Sequence, residues 1–471
     1  MSIKVFFRIL FACTSFCSTV LVHSQTRVTI DGKRSYQTIY GWGGNTYGWI
    51  LNGWNDWTND RVYEVAYNEL GVTHLRLVTE FESWEPENDD GDPNHFNWPY
   101  YRSRFEGSDT KARLVQSDFM MMERILDTFH KRLILGIWNV PHWMVRDPAR
   151  KDHRDLPYHM HAEFAESVAA YLLWARTHRG LVIPEIILAN EPDGTYVEYS
   201  PEELRDLIKT VGAKFKREGI VTKIAAPDLA SPYFDPDIWV TRLLEDSVAA
   251  SYLSAISYHT YYVEGGPDMW NAKFQRLAEL AARAKLPVYF TEVGTTPWSI
   301  PNSSWAWAFD CAQMWHNVLT YGNASVSYQW ALLGKDYVVN PDATRNPIFY
   351  ALAQFFQHIP VGAVRVAVTS NHRDLLVSAF KHEVRNSMQI VFLNRAHAEL
   401  RVNVDLQNLL LANVTCYRTS EHEQHVRLAD MFPARPQFSF TIPAHTIVTL
   451  SGTIGADSAA PTTPEGLRIN H

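Results

Sequence analysis

The sequence from residue 187 to residue 193 reads Ile187-Leu188-Ala189-Asn190-Glu191-Pro192-Asp193. Three apolar residues typical of a buried strand run into an Asn-Glu pair, and Pro192 ends the strand because proline cannot donate to a sheet. Glu191 is therefore predicted at the carboxyl end of a strand, partly removed from water, where the pKa of a carboxyl group rises. A carboxyl group that stays protonated near neutral pH can protonate a leaving oxygen. A solvated glutamate that caps the next helix is the alternative.

A second strand ends in the same way, with the sequence Phe290-Thr291-Glu292-Val293-Gly294. Two carboxyl groups mounted on strand ends can face each other across a bound sugar. A separation of about 5–5.5 Å suits retaining glycoside hydrolysis, in which one carboxylate is the nucleophile and the other is first acid and then base. A separation of roughly 6.5–9.5 Å would indicate an inverting mechanism.

Strand and helix patterns alternate over residues 37–359. The predicted strands are Ile39–Trp42, Thr73–Val78, Leu133–Trp138, Ile186–Asn190, Thr222–Ala226, Leu253–Tyr258, Pro287–Thr291 and Ser325–Trp330. Eight strand–helix units predict an α/β fold, a (β/α)8 TIM barrel, whose functional residues gather at the carboxyl ends of the strands. Glu191 then ends the fourth strand and Glu292 the seventh. Segments 85–101 and 148–158 are predicted as loops that shape the substrate cleft.

Beyond Pro360 the hydrophobic period changes to two, which predicts an appended antiparallel β-sandwich over residues 360–452. Its predicted strands are Val364–Val368, Leu375–Phe380, Met388–Leu393, Leu400–Val404, Val414–Thr419 and Phe438–Leu450. The strand in residues 25–36 is expected to join it, since that strand precedes the barrel. Residues 453–471 are rich in Ser, Ala, Thr and Pro, and are predicted to be a disordered tail or a linker.

Composition narrows the class of protein. The chain has 471 residues, of which 46% are hydrophobic and 20% charged, as in an ordinary globular protein. The formal net charge of −8 argues against nucleic acid or a membrane surface as a partner. Gly41-Trp42-Gly43-Gly44 allows tight turns but lacks the Lys-Ser/Thr of a phosphate loop. We expect a monomer with a carbohydrate substrate and no cofactor.

The first 24 residues are predicted to be a secretory signal peptide. Lys4 and Arg8 precede a short apolar run over residues 9–22, which is too short for a membrane span. The mature protein is therefore expected outside the cell or in the periplasm. Cys311 and Cys416 remain after cleavage, and two buried free thiols are favoured over a bridge between domains.

Other polar residues at predicted strand ends suit supporting roles. Arg76 is placed to keep Glu292 ionised, although it could instead form a surface ion pair. Tyr261 could hydrogen-bond the nucleophile, and His259 could position it or be a core histidine. Asn190 could hold the sugar 2-hydroxyl or cap a helix.

Aromatic residues are candidates for a sugar platform because sugars present flat C–H faces. Trp138, Trp143 and Trp330 are predicted for this role, with packing in the core as the alternative. Trp42 and Asn139 are also predicted to contact substrate.

The motifs resemble clan A of the glycoside hydrolases, and within it family 30. The stretches that carry the resemblance are Gly41-Trp42-Gly43-Gly44, Trp138-Asn139-Val140-Pro141-His142-Trp143-Met144, Asn190-Glu191-Pro192-Asp193 and Tyr289-Phe290-Thr291-Glu292. The resemblance implies a barrel with a side sandwich, Glu191 as acid/base and Glu292 as nucleophile. Trp42, where the family often has Phe, and Trp138-Asn139, where Trp-Ser is more usual, depart from the pattern. The implied substrates are glucosyl, xylosyl, galactosyl or fucosyl linkages.

Three other functions stay open. Another retaining clan A family with a different sugar specificity is one. A zinc enzyme using His153, His159 and His161 is the second, but these histidines lack helical ligand spacing, so we expect no metal. A non-catalytic sugar-binding protein is the third, and it would not need paired carboxylates.

Overall fold

The computed structural model describes residues 25–48, 59–147, 154–194, 197–233, 236–261, 265–294, 300–428 and 436–455. The predicted signal peptide, residues 456–471 of the predicted tail and His153 lie outside the described residues. Strands and helices are numbered β1 to β19 and α1 to α11 along the chain.

Eight parallel strands close into a barrel in the order β10-β11-β2-β3-β4-β6-β8-β9. They are β2 (Gly41–Tyr47), β3 (His74–Glu80), β4 (Arg132–Asn139), β6 (Glu185–Ile187), β8 (Lys223–Leu229), β9 (Leu253–His259), β10 (Val288–Val293) and β11 (Ala324–Gln329). The short strands β5 (Arg154–Asp155) and β7 (Val197–Glu198) pair outside the barrel. The predicted (β/α)8 barrel is confirmed, with Glu191 after the fourth barrel strand and Glu292 in the seventh.

Helices surround the barrel because each buries one apolar face against the strands. They are α1 (Asp60–Tyr63), α2 (Phe81–Trp84), α3 (Trp98–Glu106), α4 (Thr110–Glu123), α5 (His161–Arg179), α6 (Pro201–Arg217), α7 (Pro236–Glu245), α8 (Ser247–Tyr252), α9 (Asn271–Ala284), α10 (Trp305–Thr320) and α11 (Pro347–Phe356). α1 and α4 continue as π-helical turns, Glu64–Glu69 and Arg124–Thr128, and 3-10 turns cover His142–Met144 and Tyr158–Met160. Helix α3 begins inside the segment predicted as a loop, because Asn97 caps it and Pro99 occupies its first turn.

The second domain is a nine-stranded sheet in the order β17-β16-β19-β14-β13-β12-β1-β15-β18. Its strands are β1 (Thr26–Thr38), β12 (Val364–Ser370), β13 (Leu375–His382), β14 (Ser387–Asn394), β15 (Leu400–Gln407), β16 (Leu410–Ser420), β17 (Glu423–Arg427), β18 (Gln437–Ile442) and β19 (Thr446–Gly455). Side chains from both halves of this sheet, among them Val28, Ile390, Val404 and Leu450, share one core. The predicted β-sandwich and its N-terminal strand are therefore present.

The sandwich differs from the prediction in its details. β1 pairs antiparallel with β12 but parallel with β15. The whole barrel separates β1 from β15 along the chain, which provides the long connection that a parallel pair needs. The segment predicted as one strand over Phe438–Leu450 forms β18 and β19, and β19 continues to Gly455.

The barrel and the sandwich share an interface built on α10 and α11. Gln354 on α11 donates through Nε2 to Thr419 Oγ1 at 2.8 Å, and Thr449 Oγ1 donates to the Gln354 carbonyl at 2.9 Å. Cys311 on α10 and Cys416 on β16 are buried and unbridged, as predicted. Within the described ranges, no helix is both long enough and apolar enough to cross a membrane.

Candidate active site

Arg76 lies at the centre of the barrel mouth and is fully buried. It stands on β3 with its side chain pointing inward, and the adjacent β4 makes room for it at Gly136. A Cβ at position 136 would lie 3.1 Å from Arg76 Nε and 3.2 Å from Cζ, closer than nearly all real contacts. Glycine at this position therefore lets a guanidinium cross the barrel interior.

The Arg76 guanidinium joins four other strands or strand ends. Nη1 donates to Glu292 Oε1 at 2.6 Å and to Asn45 Oδ1 at 3.0 Å. Nη2 donates to Asn190 Oδ1 at 2.6 Å and to Asp228 Oδ2 at 3.1 Å. The predicted pairing of Arg76 with Glu292 is present, and it is buried rather than on the surface.

Glu292 is aimed into the mouth by a β-bulge. In the pairing of β10 with β9 the register shifts between Phe290 and Glu292, which leaves Thr291 as the extra residue. Bulges of this kind redirect side chains beside active sites. Thr291 consequently points inward and donates to Asp228 Oδ1, while Glu292 reaches Arg76 on one oxygen and the Tyr261 hydroxyl, at 2.7 Å, on the other.

Glu191 follows β6 in a left-handed backbone conformation, with φ at 49°. Such a conformation costs a non-glycine residue on the order of 1–3 kcal/mol, and it persists only where the surroundings hold it. The Glu191 amide donates to the Asp228 carbonyl at 3.0 Å, and the Asn190 amide donates to the Ile137 carbonyl at 3.0 Å. Neighbouring strand ends thus fix the backbone of the Asn-Glu pair.

His259 lies between the two glutamates. Its Nδ1 is 2.9 Å from Glu191 Oε1 and 3.6 Å from Glu292 Oε2. Its Nε2 is 3.2 Å from Asp228 Oδ2. One ring therefore contacts three carboxyl groups, and a ring with protons on both nitrogens satisfies all of these contacts.

The two glutamates are close together. One carboxylate oxygen of Glu191, one of Glu292 and a ring nitrogen of His259 all lie within 4.8 Å of one another. The two carboxyl groups are therefore near enough to act on the same bound molecule.

The electrostatics of the cluster follow from its burial and its mixed charges. Burial raises the pKa of Glu292 and the charge of Glu191 adds to the rise, while His259 and Arg76 act against it. Burial alone would lower the pKa of His259, but the Glu292 and Asp228 carboxylates outweigh it and raise that pKa to about 10. The pKa of Asp228 is held low by His259 and Arg76, which overcome its burial. His259 is therefore a cation at neutral pH.

Asp228 is the site residue that the sequence analysis missed. The predicted fifth strand stopped at Ala226 because Pro227 disfavours a central strand. The structure carries β8 through Pro227 to Leu229, with a register shift between Pro227 and Leu229 that leaves Asp228 in the bulge, at φ 65°. The sequence feature that could have identified Asp228 is an acidic residue that follows a proline at the end of an apolar run.

Two of the predicted platform residues stack on each other. The rings of Trp138 and Trp330 lie 5.4 Å apart at 23°, and Tyr47 meets Trp330 edge-on at 5.4 Å. Trp138 and Trp330 stay partly exposed at the barrel mouth. Trp143 packs against the core and donates through Nε1 to the Glu85 carbonyl at 3.0 Å.

Trp42 was wrongly predicted to contact substrate. On β2 the inward positions are those of Gly43 and Asn45, so Trp42 points outward into the helix layer. It is buried, stacks on Phe356 at 5.4 Å and donates through Nε1 to the Ile359 carbonyl at 2.7 Å. Asn139 ends β4, and its Oδ1 has no hydrogen-bond partner within the described part of the chain.

The predicted zinc alternative finds no support in the donor geometry. His159 is exposed and His161 is buried, and neither belongs to a group of potential ligands among the described residues. The cluster of Glu191, His259 and Glu292 has ligand spacing. However, Arg76 already supplies a cation to Glu292, and a metal would have to displace the proton of His259 in order to bind it.

Comparison with known proteins supports the resemblance to family 30. Residues 362–450 match the profile described as the glycosyl hydrolase family 30 beta sandwich domain. A search of curated proteins found no match.

Solved structures share the fold over nearly the whole chain. A GH30 endoxylanase from Clostridium papyrosolvens C71 is 20% identical, with a TM-score of 0.71, over 91% of this chain and 100% of that one. The GH30 subfamily 8 xylanase Xyn30A from Clostridium acetobutylicum is 19% identical, with a TM-score of 0.71, over 91% and 99%. An endo-β-1,6-glucanase is 17% identical, with a TM-score of 0.63, over 90% and 93%. The chain thus has the two-domain fold of family 30 enzymes.

The two tryptophans give a matched test of core against cleft. Trp42→Phe should lower the melting temperature, because it removes a buried hydrogen bond and packing area, and should leave KM unchanged. Trp330→Ala should raise KM with a smaller loss of stability. Calorimetry and steady-state kinetics on both variants measure the two effects. A raised KM in Trp42→Phe would contradict the core position of Trp42 and favour a contact with substrate.

Asp228 is expected to control the protonation of His259. Protonated His259 stabilises the fold fully below its ordinary pKa of 6.5, and this contribution is lost as the pH rises towards about 10. Asp228→Asn removes one of the anions that raise the pKa, so the contribution should be smaller and its loss should be complete at lower pH. Asn also tolerates the left-handed backbone at this position.

The measurement is the melting temperature between pH 6 and pH 10, together with the pH profile of kcat/KM. Thr291→Val is the control, since it removes a hydroxyl that donates to Asp228 without changing a charge. Identical pH dependence in Asp228→Asn and the unmodified protein would show that Asp228 does not act through His259.

Proposed function

We propose that the protein is an exported retaining glycoside hydrolase that cleaves β-glycosidic bonds of a polysaccharide or oligosaccharide. This proposal rests on the observation that carboxylate oxygens of Glu191 and Glu292 lie within 4.8 Å of each other, on either side of His259. That spacing suits double displacement, in which both glutamates act on one anomeric carbon.

In the first step Glu292 attacks the anomeric carbon and forms a glycosyl ester. The glycosidic C–O bond breaks at the same time, and Glu191 gives its proton to the departing oxygen. Arg76 and the Tyr261 hydroxyl hold the two Glu292 oxygens, at 2.6 and 2.7 Å, and keep the carboxylate in position for attack. Asn190 accepts from Arg76 through Oδ1, which orients its amide nitrogen to donate to the sugar 2-hydroxyl.

In the second step Glu191, now a carboxylate, takes a proton from water. The resulting hydroxide attacks the anomeric carbon, the ester bond to Glu292 breaks, and the sugar leaves with its original configuration.

Charge balance favours one protonated carboxyl group in the resting cluster. Arg76 and protonated His259 supply two positive charges, which balance two of the three carboxylates of Asp228, Glu191 and Glu292. A third carboxylate among these buried groups would be uncompensated. In the proposed mechanism that proton is on Glu191 when Glu292 attacks, and once Glu292 is esterified it loses its charge, so Glu191 can then ionise without disturbing the balance.

The substrate proposed is a xylan, a β-glucan or a galactan. The stacked Trp138 and Trp330 beside the carboxylates suit the flat face of a pyranose ring. Solved structures with the same fold include an endoxylanase and an endo-β-1,6-glucanase. A retaining β-glycosidase with the specificity of another clan A family is the second candidate, because the catalytic pair is common to the clan.

Glutamate variants test the assignment. Glu292→Gln should abolish turnover because it removes the nucleophile. Glu191→Ala should slow hydrolysis of natural linkages by about 10²–10⁴-fold, whereas aryl glycosides with good leaving groups, which need no protonation, should be affected far less. Initial rates on xylan, β-glucans, galactans and dinitrophenyl glycosides, with azide added to rescue Glu191→Ala, measure both effects.

Glu163→Gln is the control, since it changes a carboxyl on α5 away from the cluster. Unimpaired activity in Glu292→Gln would eliminate the glycosidase assignment. Product of inverted configuration, detected by proton NMR during early turnover, would keep hydrolysis but exclude double displacement. Saturable sugar binding by the unmodified protein, with no turnover of any substrate, would favour a binding protein.

Export is tested on the full sequence expressed in a secreting host. We expect the product outside the cytoplasm with an amino terminus near Gln25, because signal peptidase cuts after small residues such as those at positions 22 and 24. Mass spectrometry of the recovered protein measures the cleavage site. A cytoplasmic product that keeps Met1 would contradict export.

A further inference from the structure

A second group of carboxyl groups lies outside the catalytic cluster. Glu85 follows α2, Asp89 stands in the segment after it, and Glu166 lies on α5. One oxygen from each of the three lies within 4.8 Å of the others. Glu85 and Glu166 are buried, with 0% and 1% of their surface exposed, and Asp89 is partly exposed.

Glu85 and Glu166 have fewer hydrogen-bond donors than oxygens, whereas Asp89 accepts from the amides of Asp90 at 2.7 Å and Asn97 at 3.1 Å. The Tyr101 hydroxyl is 3.2 Å from Glu85 Oε2 and 2.7 Å from Glu166 Oε2. The other oxygens, Glu85 Oε1 and Glu166 Oε1, are buried and have no hydrogen-bond partner in the described ranges. Native proteins rarely leave buried carboxylate oxygens in this state, because the desolvation cost is not offset.

A buried serine, Ser167, is a further polar residue beside these carboxyl groups. Ser167 is fully buried and close enough to Glu85 for its hydroxyl to act on that carboxyl. Its Oγ nevertheless makes no hydrogen bond of normal geometry among the described residues. Two unpartnered carboxylate oxygens, with a buried hydroxyl beside one of these carboxyl groups, indicate a missing ligand that binds oxygen.

No cationic side chain among the described residues forms an ion pair or hydrogen bond with the Glu85 or Glu166 carboxyl. Lys214 acts on Glu166 only through space, since its Nζ donates to the Pro93 carbonyl at 2.8 Å and lies 3.9 Å from Glu218.

We propose that Glu85, Asp89 and Glu166 bind one calcium ion, with Ser167 beside them as a further oxygen donor. Calcium takes oxygen ligands at about 2.3–2.6 Å in flexible geometry, so oxygens around one ion lie at most roughly twice that distance apart, and three oxygens within 4.8 Å of one another meet this limit. Magnesium prefers a strict octahedron that keeps several waters, which a buried site of this kind does not favour.

The ion would join the segment that follows the second barrel strand to α5. The Glu85 carbonyl also accepts from Trp143 Nε1, so the same residue connects to the segment after the third barrel strand. Both segments border the carboxyl end of the barrel, where the catalytic cluster lies. Calcium would therefore stiffen one side of the cleft without touching the reacting atoms.

Terbium and calcium titrations of the chelator-treated protein test the site. Trp84 stacks on Tyr101 at 4.8 Å, next to the ligands, and should sensitise terbium luminescence. Calcium should quench that luminescence by displacing terbium, and should raise the melting temperature by about 3 °C or more. Glu166→Gln should lose both responses, while Asp92→Asn, which removes an exposed acid from the same segment, should keep them.

Absence of both responses in the unmodified protein, with calcium up to the millimolar range, would overturn the proposal. Terbium luminescence that survives unchanged in Glu166→Gln would also overturn it, because binding would then lie elsewhere. If Glu166→Gln does not fold, the titrations of the unmodified protein decide the matter. Catalytic activity is scored separately, so failure here is distinct from failure of the glycosidase assignment.

Discussion

The buried guanidinium of Arg76 is the contact on which the rest of the barrel mouth depends. It joins Asn45, Asn190, Asp228 and Glu292, which come from four different strands or strand ends. Removing one partner from a buried ion pair typically costs 3–5 kcal/mol, because a charge is left uncompensated. Closure of the barrel and placement of Glu292 and of the Asn190-Glu191 pair are therefore coupled through one side chain, which Gly136 admits to the interior.

Two cationic side chains limit how many carboxyl groups can be ionised together at the barrel mouth. Arg76 and His259 balance two negative charges, yet three acidic groups face them. One of these groups is therefore best accommodated with its proton. In the proposed mechanism, esterification of Glu292 would remove one negative charge, so the same charge balance would let Glu191 act first as an acid and then as a base.

The sequence predicted the architecture and most of this cluster. Hydrophobic periods of helix and strand located all eight barrel strands, and polar residues at strand ends identified Arg76, Asn190, His259 and Tyr261. Asp228 was missed because Pro227 hid the end of its strand, which a bulge carries past the proline. Trp42 was misplaced because motif position does not fix side-chain direction, which alternates along a strand and is settled only by barrel closure. The parallel pairing of β1 with β15 likewise depends on tertiary contacts between distant segments.

The backbone departs from regular strand geometry at the residues of the candidate site. Glu191 and Asp228 both adopt left-handed backbones, and Thr291 and Asp228 both sit at breaks in strand register. Each departure weakens a strand end on its own, yet each brings a polar group inward that a regular strand would direct outward or along the sheet. The hydrogen bonds and ion pairs of the cluster offset that cost only when all members are present. The regular strands therefore stabilise the barrel, whereas the irregular strand ends direct the polar side chains of the candidate site inward.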